Sequence, residues 1–165
     1  MTYRYTCEGL SPRQLEGFFV GWPDKPSPET HLRLLKNSDE IVLAVDEEKG
    51  AVVGFITALT DRVLSAYIPF LEVLPAYQGR GIGSELVRRL LARLEGLYMV
   101  DLLCDEPLIA FYQRFGLHKA TGAMIRNYKY QAGSGVGSVA GSSAGSVSGS
   151  MELHRRSEGR DGRNE

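Results

Sequence analysis

The sequence has few of the residues that build disulfide frameworks and metal sites. Its 165 residues include only two cysteines and three histidines. Cys7 and Cys104 match no metal or redox spacing, so a disulfide-stapled scaffold and a metal-binding module are not predicted. Both cysteines are expected to be free thiols in a reducing cytoplasm. His31 and His118 are interpreted as surface histidines rather than metal ligands.

The sequence also lacks an excess of charge and a long apolar run. Lys and Arg number 19 against 20 Asp and Glu, so no overall field would attract nucleic acid or an anionic membrane. No uninterrupted apolar segment approaches the roughly 20 residues of a membrane span. The first residues, Met1 to Tyr5, lack the apolar core of a signal peptide. We therefore expect a soluble cytoplasmic protein without nucleic-acid or membrane partners.

The most informative stretch that is present is glycine-rich and covers residues 78–83. It follows an apolar strand pattern and opens a helical pattern that runs from Ile82 to Leu94. A strand, a glycine-rich turn and a helix N-terminus together favour a bound anion, because backbone N–H groups and the helix dipole point at it. Glycines let the main chain approach closely, and Arg80 can add a charge-assisted contact. The sequence thus predicts a phosphate-binding loop.

Three phosphate motifs compete for this loop. A Walker A motif needs Lys and then Ser or Thr after its last glycine, where this chain has Ser84 and Glu85. The dinucleotide fingerprint needs a glycine at Ser84, although Asp101 lies near the distance expected for a ribose ligand. The acyl-CoA pyrophosphate motif, Gln/Arg-x-x-Gly-x-Gly/Ala, is filled without a gap by Gln78-Gly79-Arg80-Gly81-Ile82-Gly83.

Residues 73–83, followed later by Phe111-Tyr112-Gln113-Arg114-Phe115-Gly116-Leu117, resemble the GNAT superfamily of acyl-CoA-dependent N-acetyltransferases, in particular its small stand-alone bacterial members. The resemblance covers roughly residues 3–130. It implies a mixed α/β fold in which a mostly antiparallel, twisted sheet contains one splayed parallel pair of strands. The order of the predicted elements itself indicates a mixed sheet covered by helices on both faces.

Local patterns place the individual elements. Strands are predicted at residues 2–7, 41–45, 51–60, 63–74, 98–104 and 117–130, the last interrupted at 121–122. Helices are predicted to begin at Ser11-Pro12, at Ser27-Pro28, at Ile82 and at Asp105-Glu106-Pro107. The segment around Trp22, rich in proline, is either a packed surface loop or, as the resemblance implies, an overhang at the acceptor end of the cleft.

Composition divides the chain into three parts: an acetyltransferase domain at residues 1–130, a linker at 131–150 and a tail at 151–165. Residues 133–150 consist of 6 Gly, 7 Ser, 3 Val and 2 Ala, which cannot bury enough apolar surface to fold. The polar tail fits both a natural disordered extension and an appended peptide. Neither the linker nor the tail is expected to contribute to the fold.

The resemblance implies direct attack of an amine on an acetyl thioester in a ternary complex, so no cysteine nucleophile is needed and Cys104 is interpreted as a core residue. Tyr112 matches the tyrosine that donates a proton to the CoA sulfur, although it also lies on an apolar helix face, where an aromatic usually belongs to the core. The cofactor-binding residues implied are the pantetheine-pairing strand residues Leu71, Glu72 and Val73 and the pyrophosphate loop Gln78, Gly79, Arg80, Gly81, Ile82, Gly83 and Ser84.

The general base is less well determined by the sequence. Glu72 is an ionisable residue inside an otherwise apolar strand, and such a carboxylate is costly unless it is paired or functional. Asp101, inside the next apolar strand, is the second candidate, and a chain of water molecules is the third. The position that holds a catalytic glutamate in some family members corresponds to Tyr67.

The sequence therefore predicts an enzyme that transfers an acetyl group from acetyl-CoA to a primary amine of a small molecule or a protein. An acyl-CoA-binding sensor that has lost turnover is the alternative, and a nicotinamide-binding domain is the third interpretation. The oligomeric state is left open, a homodimer included.

Overall fold

A computed structural model describes residues 1–133 of the chain. They form one five-stranded sheet in the order β1-β2-β3-β4-β5. The strands are β1 (Thr2–Arg4), β2 (Glu40–Asp46), β3 (Ala51–Thr60), β4 (Ser65–Val73) and β5 (Met99–Asp101). The helices are α1 (Pro28–Lys36), α2 (Ile82–Arg93) and α3 (Ile109–Gln113), with 3-10 turns at Pro12–Leu15, Pro75–Tyr77, Glu106–Leu108 and Tyr128–Tyr130.

Strand pairing confirms the predicted mixed sheet. Strands β1 to β4 are antiparallel neighbours, whereas β5 runs parallel to β4. The register of β3 and β4 shifts between Thr57 and Leu59, and Pro69 lies in this irregular stretch of β4. A proline is tolerated there because a bulge leaves one residue out of the ladder of hydrogen bonds.

The sheet has a hydrophobic core on each face. One core lies under α2 and includes Val42, Ile56, Leu86 and Leu90. The other lies under α1 and the segment before it, and its buried side chains are Leu10, Leu15, Phe18, Phe19, Leu35, Ile41, Leu43, Val45, Val52 and Phe55. Helices thus cover both faces, as predicted. No helix in the described part of the chain combines the length and the hydrophobicity that a bilayer crossing requires.

The N-cap predicted for α1 is confirmed. The Ser27 hydroxyl accepts a hydrogen bond from the Thr30 N–H at 3.2 Å and caps α1. In α2 the buried stripe is Ile82, Leu86, Val87 and Leu90. The arginines on its outer side, Arg88, Arg89 and Arg93, form ion pairs with Glu85 or Glu40.

Three element predictions need shortening. The strand predicted at residues 2–7 pairs with β2 only over Thr2–Arg4. The helix predicted from Ser11 is only the single 3-10 turn Pro12–Leu15, because the backbone enters positive φ at Gly17 (91°) and Phe19 (59°). The predicted strand at 98–104 pairs only over Met99–Asp101, because the chain leaves the sheet after Asp101.

The strands predicted at residues 117–130 are absent from the described structure. Residues 117–126 form no backbone hydrogen bonds with any other residue in 1–133, and a strand is stable only when a neighbour completes its ladder. The apolar residues also fail to alternate: Met124 and Ile125 are adjacent and are 70% and 91% exposed. This prediction was wrong.

The interpretation of His31 as a surface residue was also wrong. Its side chain lies on the inner side of α1 and is 1% exposed. The prediction failed because helix α1 is short and polar, so the local pattern did not show that this turn faces the sheet. His118 is exposed, as expected.

The boundary predicted at residue 130 falls next to α1. The Gln131 side-chain oxygen accepts a hydrogen bond from the Asp24 N–H at 3.3 Å, and Arg33 donates one to the Gly133 carbonyl at 2.8 Å. The first residues of the predicted linker therefore contact the folded part of the chain. The rest of the linker and the predicted tail at 151–165 lie outside the described residues.

Candidate active site

A fork between β4 and β5 opens the sheet. The two parallel strands pair at Ser65 and Met99, at Ala66 and Val100, and last at Tyr67 and Asp101. Strand β4 continues to Val73, paired on its other side with β3. Within residues 1–133, one edge of β4 from residue 68 to residue 73 therefore has no partner strand. Its backbone groups are available to an extended ligand, and the predicted splayed pair is confirmed.

The glycine-rich loop lies at the far end of this edge and presents unpaired amides. The N–H groups of residues 79–84 donate to no acceptor in the described structure. The first hydrogen bond inside α2 runs from the Glu85 N–H to the Gly81 carbonyl at 3.0 Å. Gln78 is the exception, because its N–H donates to the Pro75 carbonyl at 3.3 Å.

Two glycines give the loop its shape. Gly79 and Gly81 have φ values of 73° and 80°, a region that residues with a Cβ rarely adopt. A Cβ on either glycine would meet no protein atom within 4 Å, so the space above the loop is open. Six amides without a protein acceptor in residues 1–133, three of them in the first turn of α2, suit a diphosphate well.

The Gln78 side chain holds the loop against β4. Its amide nitrogen donates to the Val73 carbonyl at 2.9 Å. Sequence reasoning named Gln78 as a cofactor ligand, and the structure adds this second task, which explains why a residue with a side-chain donor stands at the start of the motif.

Two positively charged side chains lie on either side of Tyr77: Arg80 belongs to the glycine-rich loop, and Lys49 belongs to the turn between β2 and β3. The Arg80 guanidinium and the Lys49 ammonium lie 5.1 Å and 5.2 Å from the centre of the Tyr77 ring. The Tyr77 hydroxyl donates to Asp46 at 2.6 Å and holds the pKa of that carboxyl below its usual value. Sequence reasoning missed Lys49, because its only local signal is a place in the hairpin turn after β2.

Tyr112 lies on α3 and is 9% exposed. Burial raises the pKa of its hydroxyl to about 12, and the neighbouring Cys104 acts in the same direction. The phenol is therefore protonated at neutral pH, and it makes no hydrogen bond to any described residue. The adjacent Phe111 ring lies close to Gly83 at the start of α2, so α3 is positioned beside the phosphate loop.

The Glu72 carboxylate is bound by the segment that precedes α1. Its two oxygens accept hydrogen bonds from the N–H groups of Phe19, at 2.9 Å, and Val20, at 3.0 Å. Phe19 has a φ of 59°, which is strained for a residue with a bulky side chain. Glu72 therefore stabilises a loop conformation that would otherwise be costly.

The same segment forms an aromatic wall beside β4. The Phe19 ring lies 5.3 Å from the Trp22 ring and 6.1 Å from the Phe70 ring, measured between centroids. Trp22 is partly exposed. The segment around Trp22 is thus packed against β4, as the first of the two interpretations expects.

Asp101 and Tyr67 face each other across the base of the fork. Together with Asp39 and Asp61 they border a depression of about 430 Å³. Hydrogen bonds from the Ser65, Leu64 and Val63 amides hold the pKa of Asp61 well below its usual range. Glu72 lies five residues beyond Tyr67, or about 16 Å at strand spacing. The structure therefore does not bring the two carboxylate candidates for the base together.

Comparison with known proteins agrees with this architecture. The model of the acetyltransferase (GNAT) family matches residues 8–117. A solved structure from Deinococcus radiodurans R1, described as a candidate acetyltransferase, is 47% identical with a TM-score of 0.77 and covers 79% of this chain and 91% of its own. A GNAT-family acetyltransferase from Streptococcus pneumoniae TIGR4 is 30% identical with a TM-score of 0.62, covering 76% and 97%. The chain belongs to the GNAT family of acetyltransferases.

Curated relatives carry the same family name. An N-acetyltransferase from Prochlorococcus marinus, named ycf52-like and uncharacterized, is 34% identical over 104 residues, or 59% of this chain and 56% of its own length. The chloroplastic GCN5-related N-acetyltransferase 1 of Arabidopsis thaliana is 29% identical over 117 residues, or 68% and 59%. The chain spans a little over half the length of these relatives.

Proposed function

We propose that this protein transfers the acetyl group of acetyl-CoA to a primary amine by direct attack in a ternary complex. The observation that carries the proposal is the set of six amides at residues 79–84, placed at the end of a strand edge; within residues 1–133 neither the amides nor the edge has a partner. One end of the fork can hold a diphosphate, and the edge that leads away from it can hold an extended arm. Family membership supports the same chemistry.

The chain's own residues supply binding and orientation. The amides of the loop and the N-terminus of α2 hold the diphosphate, with Arg80 and Lys49 adding positive charge. The open edge at Leu71, Glu72 and Val73 orients the pantetheine arm and the thioester carbonyl by backbone hydrogen bonds. Acetyl-CoA itself supplies the activated acyl group.

Tyr112 is the proposed proton donor. The amine nitrogen forms a bond to the carbonyl carbon and gives up a proton to the general base, the carbon–sulfur bond breaks, and the sulfur takes a proton from the Tyr112 hydroxyl, which solvent then reprotonates. A phenol with a pKa near 12 is reliably protonated before the reaction, and burial leaves it without a competing partner in the described structure.

Glu72 remains the proposed general base, with a second task as a positioning residue. A carboxylate can accept about four hydrogen bonds, so two bonds from loop amides leave capacity for a water molecule or the amine. The amine proton could also pass to Asp101, which lies about 16 Å from Glu72 at strand spacing, or to a chain of water molecules. The engagement of both Glu72 oxygens is also the observation that favours a catalytically silent acyl-CoA-binding module.

The acceptor is proposed to be an amine of a small molecule or of a protein. A relative from Glycine max, 29% identical over 109 residues, is named histone acetyltransferase TAP1, which supports the protein alternative. The depression at the base of the fork, bordered by Asp39, Asp61 and Asp101, suits a second cationic group of the acceptor, remote from the reacting amine. We further propose a cytoplasmic location and leave the homodimer as a question for solution measurement.

Two measurements on one preparation test the proposal. Calorimetry with acetyl-CoA should show one site per chain, and a thiol-release assay over a panel of alkyl, aryl and peptide amines should show turnover with at least one amine. Binding without thiol release from any amine would favour the sensor, and absence of binding would overturn both. Binding of NADH in place of CoA would favour the nicotinamide-binding domain.

A further inference from the structure

Two positively charged side chains beside the glycine-rich loop lack an acidic partner within residues 1–133. Lys49 and Arg80 lie 5.2 Å and 5.1 Å from the centre of the Tyr77 ring, and neither has a carboxylate oxygen within 4.0 Å. The Tyr77 side chain raises the pKa of Lys49, and the charge of Arg80 opposes that rise, so the two cations repel each other. By contrast, the arginines on the outer side of α2 are all paired with carboxylates. An anion bound between the two cations would relieve their repulsion.

The acidic side chains of the turn between β2 and β3 do not form ion pairs with these cations. Asp46 accepts hydrogen bonds from the Tyr77 hydroxyl at 2.6 Å and from the Glu48 N–H at 3.1 Å. Glu47 accepts a hydrogen bond from a hydroxyl on β1. Glu48 is exposed and forms no ion pair with a described residue. An incoming anion would therefore break no ion pair to reach the two cations.

The two cations lie at the end of the sheet to which the open edge of β4 leads. The last pair of β2 and β3 before their turn joins Asp46 to Ala51, and Val73 at the end of β4 pairs with Gly54. The turn that carries Lys49 is therefore at the same end of the sheet as the glycine-rich loop. A ligand that extends along β4 and places its diphosphate on the loop amides has its far part at this end of the sheet.

The charge of the two cations restricts the group that they can bind. The loop amides are neutral, and the N-terminus of a helix is equivalent to roughly half a positive charge. A phosphate monoester carries about −1.5 to −2 charges at pH 7 and interacts best with fully charged donors. Lys49 and Arg80 supply two of these. Coenzyme A carries such a monoester on its ribose, beyond the diphosphate as counted from the thiol.

We propose that Lys49 and Arg80 bind the 3′-phosphate of coenzyme A, so that the protein prefers CoA to dephospho-CoA, which lacks this group. The inference rests on the proposed function, because it concerns the coenzyme of the same site. The planar Arg80 guanidinium can bind two phosphate oxygens, while the Lys49 ammonium acts as a point charge. Both charges also act on the diphosphate, so the specific effect is the preference between the two coenzymes rather than the affinity for either one.

Calorimetry on the full chain measures this preference. CoA should bind about tenfold more tightly than dephospho-CoA at low salt, since two exposed charge contacts contribute about a factor of three each. The preference should fall to about threefold in Lys49→Gln and in Arg80→Gln, and it should vanish in the double variant. Lys36→Gln removes a positive charge from the last turn of α1 and should keep the full preference.

Phosphorus NMR gives a second readout, which does not depend on affinity. Two neighbouring cations favour the dianion of a phosphate monoester, so the 3′-phosphate of bound CoA should have a lower pKa than that of free CoA. In the double variant saturated with CoA, this pKa should return to the value of free CoA.

Two results would overturn this proposal alone. One is equal affinity of the parent protein for CoA and dephospho-CoA, which would leave the rest of the coenzyme site intact. The other is a preference for CoA that survives in the double variant, which would place the 3′-phosphate against other residues. Absence of binding by both coenzymes would reject the proposed function and this proposal together.

Discussion

The two loops that border β4 differ in whether their backbone N–H groups donate hydrogen bonds within the protein. In the glycine-rich loop, the N–H groups of residues 79–84 have no partner in residues 1–133, and glycines take the positive φ values. In the loop before α1, the Phe19 and Val20 amides are tied to Glu72, and a phenylalanine takes the positive φ. A loop that binds a ligand keeps its donors available, whereas a loop that shapes a site uses them internally.

This difference predicts two kinds of mutant. Changes on the side of the glycine-rich loop and α3 should alter binding or turnover, and any loss of stability there should be no larger than that of a matched change elsewhere. Changes around Glu72 and His31 should mainly lower the free energy of unfolding. The four predictions below test this separation, from the largest expected effect to the smallest.

Replacing Tyr112 with phenylalanine should lower kcat by about 100-fold or more, because the sulfur loses its proton donor. The affinity for acetyl-CoA and the melting temperature should change little, since the hydroxyl makes no hydrogen bond in the described part of the chain. Thiol release and calorimetry measure the two quantities. Tyr98→Phe, at an exposed position, is the matched control. Unchanged turnover in Tyr112→Phe would remove Tyr112 from the mechanism.

His31 should make stability depend on pH. Its pKa is about 4 in the folded protein, against the usual 6.5 of a solvated histidine, so the unfolded chain binds more protons between these values. The stabilisation is complete above pH 6.5 and is lost as the pH falls towards 4, by about 3 kcal/mol in all. Urea unfolding at pH 7 and pH 4.5 measures the loss.

The matched variant for this measurement is His31→Phe, which keeps a ring in the aromatic cluster but cannot take up a proton. Its stability should fall less between the two pH values than that of the parent. Equal losses in the two proteins would show that other groups cause the acid sensitivity and that His31 contributes nothing to it.

Replacing Glu72 with glutamine should lower the free energy of unfolding by about 2 kcal/mol, because an amide offers one oxygen to two N–H donors and turns its own N–H₂ towards one of them. Glu106→Gln is the control: it breaks the ion pair with Lys119 at an exposed site and should cost less than about 0.5 kcal/mol. Chemical denaturation of both variants measures the difference.

The same Glu72 variant separates its two proposed roles. If Glu72 is the general base, the pH–rate profile of Glu72→Gln should lose the acidic limb of the parent profile. If Glu72 only positions the loop, the limb should remain and KM for the amine should rise. A variant that matches the parent in stability, pH profile and KM would contradict both roles.

Replacing Gly81 with alanine should weaken acetyl-CoA binding by about tenfold, since a Cβ at a φ of 80° strains the loop by roughly 1–2 kcal/mol. Gly96→Ala introduces a Cβ at a φ of 93° with no atom within 4 Å and lies at the other end of α2. Both variants should lose similar stability, but only Gly81→Ala should lose affinity. Equal acetyl-CoA affinities in Gly81→Ala and Gly96→Ala would show that acetyl-CoA does not bind at the glycine-rich loop.

Local sequence patterns were enough to predict the hairpin of β2 and β3, the caps of α1 and the glycine-rich loop, because each depends on neighbours along the chain. The clamp of Glu72 on Phe19 could not be predicted, since the two residues are 53 positions apart and meet only in the folded chain. The burial of His31 was not predicted because the short, polar sequence of α1 does not show that this turn faces the sheet. The segment 117–130 has strand-forming residues, but forming a strand also requires a partner edge, which composition does not reveal.

The most direct test of the central claim is an amide-resolved NMR titration of the full chain with coenzyme A. The N–H signals of residues 79–84 should shift saturably as they gain an acceptor, while those of Gln78, Phe19 and Val20, whose amides are already bonded within the protein, should move much less. Shifts at residues 79–84 no larger than those at Phe19 and Val20 would contradict the claim that this loop binds the coenzyme.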